Sequence, residues 1–415
     1  MESQPELPVP DMKDVGPEQD SASSDTSPSP TTVQTEEAQA KLAEKEESIR
    51  QACNLRDFDA LVAHATSEGG FLRDDIRRLA WPVLLQSDRD PDLAAWGDLP
   101  PHADEDQIQL DVNRSFVYYP DCSDAELLLK KKELSDLINQ VLRTYPMLCY
   151  FQGYHDIVQV LLLVLGGQRA APAVTRLSLL RIRDYMLPSL SPTLKHLQLI
   201  PDIIKKADPA LRSHLEGIRP FFAIAATLTL YAHDIEEYSD IARLFDFLLA
   251  KEPVVSIYLF VAIILSRKKE LLEIPKDEPE MLHFTLSKLP CPLDLEALIS
   301  RAVRLFDDYP PESLSSRAWK NLPQSSVLKT SRDLANQTTD EAVVLFQQQV
   351  RQLHNEERRE KAIGFLWYHR RTIGSVAVAI LIGAMSVWIR KKGLDTPIWS
   401  YLHRFKAAFQ ARGYL

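Results

Sequence analysis

From about residue 38 onward, apolar residues return every three or four positions, and alternating runs of β-branched residues are few. That period places side chains on one face of a helix and leaves a sheet without a buried side, so the chain is expected to be all-α. The clearest segment is Ser123 to Tyr145. Ser123 and Glu126 are spaced as a capping box, and Leu127, Leu128, Leu134, Leu137, Ile138, Val141 and Leu142 are expected to supply a buried stripe. Further helices are expected over roughly 71–86, 154–166, 172–186, 193–206, 220–232, 235–250, 254–270 and 293–306, with prolines between them or near their starts. A stretch from about 50 to 308 then forms one helical domain within the 415 residues.

Composition narrows the function classes. Only 13 residues are Gly, and neither GxGxxG nor GxxxxGK[ST] occurs, so the chain holds no Gly-rich phosphate loop of its own. Four scattered cysteines, Cys53, Cys122, Cys149 and Cys291, give neither zinc spacing nor a disulfide framework. His233, Asp234, Glu236 and Glu237 read as a solvated helix start rather than a metal site. The net charge is −10, but residues 1–50 carry twelve acids and four bases, which leaves the remainder near neutral. A nucleic-acid partner is excluded on that ground, because counterion release needs a basic field.

The ends differ from the middle. Residues 1–48 form an acidic tail expected to be disordered, rich in Pro and Ser at first and without the basic start and apolar run of a secretory signal. Residues 309–365 read as a polar linker followed by a solvated stalk helix with a thin apolar face, from about Asp340 to Lys361. Thr372 to Ile389 then runs 18 residues without a charge, about 27 Å as a helix, flanked by Arg370-Arg371 and Arg390-Lys391-Lys392 with Trp367, Tyr368 and Trp388 at its edges. It is expected to be a C-terminal transmembrane anchor, with residues 390–415 as a short tail. Charge leaves the orientation open, since residues 351–371 and 390–415 each hold six Lys or Arg; a span so late in the chain, with no leader, is expected to keep the large N-terminal part in the cytosol. Ile241 to Leu265 is also apolar, but Arg243, Asp246, Lys251, Glu252 and Pro253 divide it into two core helices.

Three short motifs remain: Arg77-Arg78-Leu-Ala-Trp81, then Ile108-Gln-Leu-Asp111-Val-Asn-Arg114, then Tyr150-Phe-Gln152-Gly153 with Tyr154, His155 and Asp156 following. In this order they resemble the R-x-x-x-W, IxxDxxR and YxQG signatures of the TBC domain, the Rab GTPase-activating fold, over roughly residues 55–305. Arg78 stands where that family often has Gly.

The resemblance implies that Arg114 is an arginine finger and Gln152 a glutamine finger, delivered in trans to a Rab that already holds GTP and Mg²⁺. The chain would need no cofactor of its own, and would be a GTPase activator rather than a free-standing enzyme. Hydrolysis of GTP builds charge on the γ-phosphoryl oxygens and needs a positioned water. A permanently charged planar guanidinium serves the first, and a carboxamide, donor and acceptor at once, serves the second. Asp111, one helical turn before Arg114, is placed to orient it. Tyr150 and Gly153 shape the turn that presents Gln152, and His155 reads as packing. Trp81 is a core aromatic, and Asp156 is expected to form a buried pair with Arg77 or Arg78 beneath the fingers. The overall arrangement is similar to membrane-anchored members of the family, which implies the endoplasmic reticulum membrane, a cytosol-facing catalytic domain and a Rab of ER-to-Golgi traffic. The alternative is a catalytically silent, membrane-tethered adaptor that only binds a GTPase.

Overall fold

A computed structural model of the protein describes residues 30–89, 96–315, 317–333, 336–369, 380–388, 391, 404 and 406–407. The chain divides into two units, Met1–Ser48 and Ile49–Leu415. In the first, residues 30–48 are helical, so a helix begins inside the expected acidic tail. The elements in order are α1 (Pro30–Leu55), α2 (Phe58–Thr66), α3 (Asp74–Leu85), α4 (Glu105–Asn113), α5 (Asp124–Thr144), α6 (Tyr154–Leu165), α7 (Gly167–Leu180), α8 (Ser191–Leu197), α9 (Leu199–Ala207) and α10 (Pro209–His214). They continue with α11 (Ile224–Leu228), α12 (Tyr238–Ala250), α13 (Val255–Ser266), α14 (Lys268–Glu273), α15 (Pro279–Leu286), α16 (Leu295–Asp308), α17 (Ala318–Asn321), α18 (Val327–Thr330) and α19 (Thr339–Tyr368). The regular elements among the described residues are all helices, with no strand among them.

Local signals account for several boundaries. Ser123 caps α5: its hydroxyl accepts from the Glu126 N–H, while the Glu126 carboxylate accepts from the Ser123 N–H at 2.9 Å. The stripe of α5 buries Leu134, Leu137, Ile138, Val141 and Leu142, but Leu128 is 71 % exposed. Full burial starts at Leu134, about two turns further along the helix than the stripe suggests, although Leu127 is partly buried against the core. α12 and α13 are the two core helices expected within the run to Leu265, and α13 is buried on every side from Val255 to Leu265. A helix apolar all round belongs in the interior; α13 packs along α16 and α9, and α12 against α2 and α3.

Other segments break where the sequence reads as continuous. The 220–232 stretch is a 3₁₀ turn, then α11, then a tight reversal with Leu230 and Tyr231 at positive φ. The 193–206 segment divides into α8 and α9 at Gln198, and the 254–270 segment into α13 and α14 at Arg267. Pro172 lies inside α7 rather than at its start.

The stalk needs the largest correction. α19 is not solvated along its first half: Ala342, Phe346, Gln349 and Leu353 recur at helical spacing and are buried, and the helix packs against α7. A buried carboxylate secures this segment. Asp184 accepts from Ser326 Oγ at 2.6 Å, the Val327 N–H at 3.1 Å and Gln349 Nε2 at 2.7 Å, with His196 Nε2 at 2.9 Å. Burial opposes its charge, but His196, Arg183 and Ser326 prevail and hold its pKa down at about 2. The trio of Ser326, His196 and Asp184 has the composition of a catalytic triad, yet it is enclosed and Ser326 donates to the carboxylate. It fastens residues 325–349 to the helical body.

Of the expected membrane span, residues 372–379 and 389 lie outside the described residues. Among the described residues no helix is long and apolar enough to cross a membrane. Residues 380–388 are helical, and the side chains of Ile380, Leu381, Ile382, Met385, Val387 and Trp388 are exposed.

Candidate functional site

α4 ends at Asn113, and Arg114 is its C-cap residue. A guanidinium at a helix C-terminus lies where the peptide dipoles favour positive charge. The Arg114 side chain is 67 % exposed, yet its Nη2 donates to Asp111 Oδ1 at 2.6 Å. Asp111, by contrast, is 1 % exposed. Its Oδ1 also accepts from Gln107 Nε2 at 3.1 Å, and its Oδ2 accepts from the Tyr150 hydroxyl at 2.9 Å. A buried carboxylate thus anchors an exposed cation.

Gln152 is exposed on the turn that leads into α6. Each side of that turn is fixed. The Tyr150 N–H donates to Asp104 Oδ2 at 2.9 Å. Phe151 packs its ring against Tyr154 and Tyr185. Gly153 has φ +101°, and a Cβ there would lie 2.5 Å from Thr229 Cγ2, so only glycine fits both the backbone and the space. Asp104 precedes α4 without capping it and gives its carboxylate to Tyr150 instead.

Arg114 and Gln152 line the same cleft, of about 530 Å³, together with Asp111, Gly153, His155 and Asp156. Phe116, Val117, Tyr118 and Tyr119 from the loop after α4 form one wall, with Thr229 and His233 contributing to another. The Phe116 N–H donates to Gln159 Oε1 at 2.9 Å, which fixes that loop to α6. Val117 and Tyr118 are exposed apolar side chains beside the mouth.

Asp156 does not pair with Arg77 or Arg78, contrary to expectation. It sits near the start of α6 between two histidines, with His155 Nε2 3.2 Å from Oδ1 and His233 Nδ1 3.0 Å from Oδ2. The hydrogen bond to Asp156 raises the His233 pKa, whereas burial pushes that of His155 down against the pull of Asp156 and Asp111. His233 therefore belongs to the cleft rather than to a solvated helix start. His155 is buried and hydrogen-bonded, not simply packed: its Nδ1 lies 3.0 Å from the Tyr150 hydroxyl. Burial, and then the Asp111 charge, drive the Tyr150 pKa up, so the phenol stays protonated as a donor.

Arg77, Arg78 and Trp81 lie on α3 and line no part of the cleft. Arg77 Nε donates to Asp246 Oδ1 at 3.0 Å and its Nη1 to Asp74 at 2.9 Å. Trp81 is fully buried, as a core aromatic should be, and its Nε1 also donates to Asp246 Oδ1, at 2.8 Å. Arg78 Nε donates to the Val164 carbonyl at 2.7 Å, tying α3 to the end of α6. The R-x-x-x-W motif is a device that fastens α3 to α12 and α6. The sequence reading missed its acceptor, Asp246, and also Asp104, Gln159 and Thr229. Among the described residues no three His, Cys, Asp or Glu side chains are grouped to hold a metal ion.

Comparison with known proteins agrees with this architecture. Residues 74–272, from the start of α3 to α14, match the family model described as the Rab-GTPase-TBC domain. GTPase-activating protein gyp10 of Schizosaccharomyces pombe is 32 % identical over 77 % of this chain and 87 % of its own length. TBC1 domain family member 20 of Bos taurus is 37 % identical over 67 % of this chain and 71 % of its own, and the Mus musculus protein of that name 34 % over 86 % and 91 %. With its three motifs in place and relatives of this similarity matched over most of their length, the chain belongs to the RabGAP-TBC family.

Proposed function

We propose that this protein accelerates GTP hydrolysis on a Rab-family GTPase of ER-to-Golgi traffic by inserting Arg114 and Gln152 together into the partner's nucleotide site. The observation that carries the reading is that the two side chains line one cleft from two separately fixed elements, α4 and the turn before α6. The guanidinium would balance charge developing on the γ-phosphoryl and bridging oxygens, and the carboxamide would orient the attacking water. Nucleotide and Mg²⁺ would come with the partner. The reading also fits the relatives, of which gyp10 is named a GTPase-activating protein.

The same proposal includes confinement to a membrane through residues 372–389, with the catalytic domain on the cytosolic side of the endoplasmic reticulum. The exposed apolar side chains of 380–388 support it, because such a surface is costly in water and favourable in lipid. An activator so tethered acts on GTPases of the same membrane.

The test is stimulated phosphate release from a panel of GTP-loaded Rabs. An arginine finger contributes ~10³- to 10⁵-fold, so Arg114→Ala is expected to abolish the stimulation that wild type gives, with the fold intact. Arg114→Lys should fail substantially as well, since an ammonium lacks the planar donor fork. Arg114→Ala protein as active as wild type overturns the mechanism. A wild-type protein that binds a GTP-loaded Rab without accelerating it identifies the silent adaptor.

A further inference from the structure

We infer that His155 is a positioning residue that locks the arginine-bearing end of α4 to the glutamine-bearing turn, so that Arg114 and Gln152 enter a partner as one rigid unit. The inference rests on the finger reading above and adds the part that holds the fingers in register.

The Tyr150 hydroxyl has a single proton and gives it to Asp111 Oδ2 at 2.9 Å. Its contact with His155 Nδ1, at 3.0 Å, therefore has the imidazole N–H donating to the phenol oxygen. A chain of hydrogen bonds results: His155 to Tyr150, Tyr150 to Asp111, and Arg114 to the other oxygen of Asp111. Gln152 lies in the backbone between the two ring-bearing members of that chain, Tyr150 and His155. The far side of the imidazole faces Asp156 Oδ1 at 3.2 Å, and Asp156 is held in turn by His233. The imidazole is buried, and its Nδ1–H is committed to Tyr150. Its removal leaves the Tyr150 hydroxyl one donor short and Asp156 facing a cavity.

Without that link, Tyr150 and Asp111 keep their direct bond but lose the brace that fixes the phenol against α6. The distance between the two fingers then varies. Reacting groups held about 1 Å out of place lose on the order of 10²-fold in rate. The loss falls on the transition state, because docking of the GTP-bound partner does not require the fingers to be in register.

The experiment uses the full chain and a Rab that responds to it. His155→Phe keeps a ring in the space and deletes the hydrogen bond to Tyr150; His155→Asn offers an amide N–H near the position of Nδ1. Readouts are kcat and KM for stimulated hydrolysis, affinity for the Rab loaded with a non-hydrolysable GTP analogue, and affinity for the Rab bound to GDP and aluminium fluoride. The expected result for His155→Phe is a ~10- to 100-fold lower kcat, with KM and analogue affinity unchanged and the aluminium fluoride complex weakened by a similar factor. His155→Asn should recover most of the loss. Wild-type kcat in His155→Phe overturns the proposal, as does a parallel fall in analogue affinity and unfolding temperature, which marks a merely structural histidine. The Arg114→Ala arm separates the two readings. Stimulation by wild type, its loss in Arg114→Ala and normal His155→Phe reject this proposal alone, whereas a wild type that stimulates no Rab rejects the finger reading and this proposal with it.

Discussion

Asp246 is the residue whose loss should damage the fold most for the fewest atoms removed. It is fully buried on α12, and its two oxygens take the Phe71 N–H at 3.0 Å, Trp81 Nε1 at 2.8 Å and Arg77 Nε at 3.0 Å, with Arg77 Nη2 at 3.2 Å. Asp246→Ala leaves a buried guanidinium with only the partly buried Asp74 as its partner, and breaking a buried pair from one side costs about 3–5 kcal/mol. The retained Asp74 contact moves this toward the lower figure. The Phe71 and Trp81 donors, stranded in the core, add roughly 1–3 kcal/mol each where they find no substitute. A total near 5 kcal/mol is therefore expected, comparable to the whole stability of about 5–15 kcal/mol typical of a folded domain. Asp156→Ala is the contrast: it accepts from a His233 side chain that is 65 % exposed and otherwise faces His155 at 3.2 Å, so the expected cost to stability is about 1–2 kcal/mol, well below that of Asp246→Ala. Urea denaturation followed by circular dichroism measures both, as midpoint shifts at unchanged slope. If Asp246→Ala stays within about 1 kcal/mol of wild type, or Asp156→Ala costs as much as Asp246→Ala, the assignment of the α3 motif to Asp246 is wrong.

Two further substitutions follow from the geometry. Gly153→Ala forces a side chain into a positive φ and against Thr229 Cγ2, so it should cost about 1–3 kcal/mol and displace Gln152. Stimulated GTP hydrolysis by the variant is expected to fall, and Thr229→Ser, which removes the opposing methyl, to restore part of it. In α19, Phe346→Ala should cost about 3–5 kcal/mol because the ring is buried, whereas Val344→Ala, 54 % exposed on the same helix, should change stability by under about 0.5 kcal/mol. Equal effects in thermal denaturation mean that α19 is not docked as described.

What could be read from the chain was what is local. The capping box of α5 is complete in four consecutive residues, and the turn after Tyr150 announces itself by a glycine ahead of an apolar run. The two finger candidates were found through motifs of a few residues each. What could not be read depends on distant parts of the chain. Asp246 is 169 positions from Arg77 and 165 from Trp81, so no window of sequence connects them, and Asp156, the acid nearer the motifs, was the wrong partner. His155 looked like packing because its role depends on a phenol whose own proton is committed to α4. The burial of α19 was missed for a similar reason. Its apolar positions are sparse, and Gln349 lies on the docked face because Asp184 and Arg183 await it there.

Under the proposed insertion of Arg114 into a partner's nucleotide site, a division of work within its guanidinium accounts for arginine rather than any other cation. A mobile surface arginine would have to surrender roughly 2 kcal/mol of side-chain freedom when it enters a partner. The bond to Asp111 restricts that freedom in advance, and it engages only Nη2. The same planar fork carries donors on Nη1 and Nε. One edge can therefore remain fixed to the protein while another edge meets a phosphoryl oxygen. An ammonium concentrates its donors on a single atom, and every contact with Asp111 there competes with the contact that matters for hydrolysis. The competition grows as docking excludes water, because an opposite charge 4 Å away that attracts by about 1 kcal/mol in bulk water attracts by about 4 kcal/mol at an effective dielectric of 20. A lysine at this position would be held more tightly by Asp111 at the moment the proposed mechanism needs it elsewhere, whereas the arginine would meet both demands from separate nitrogens.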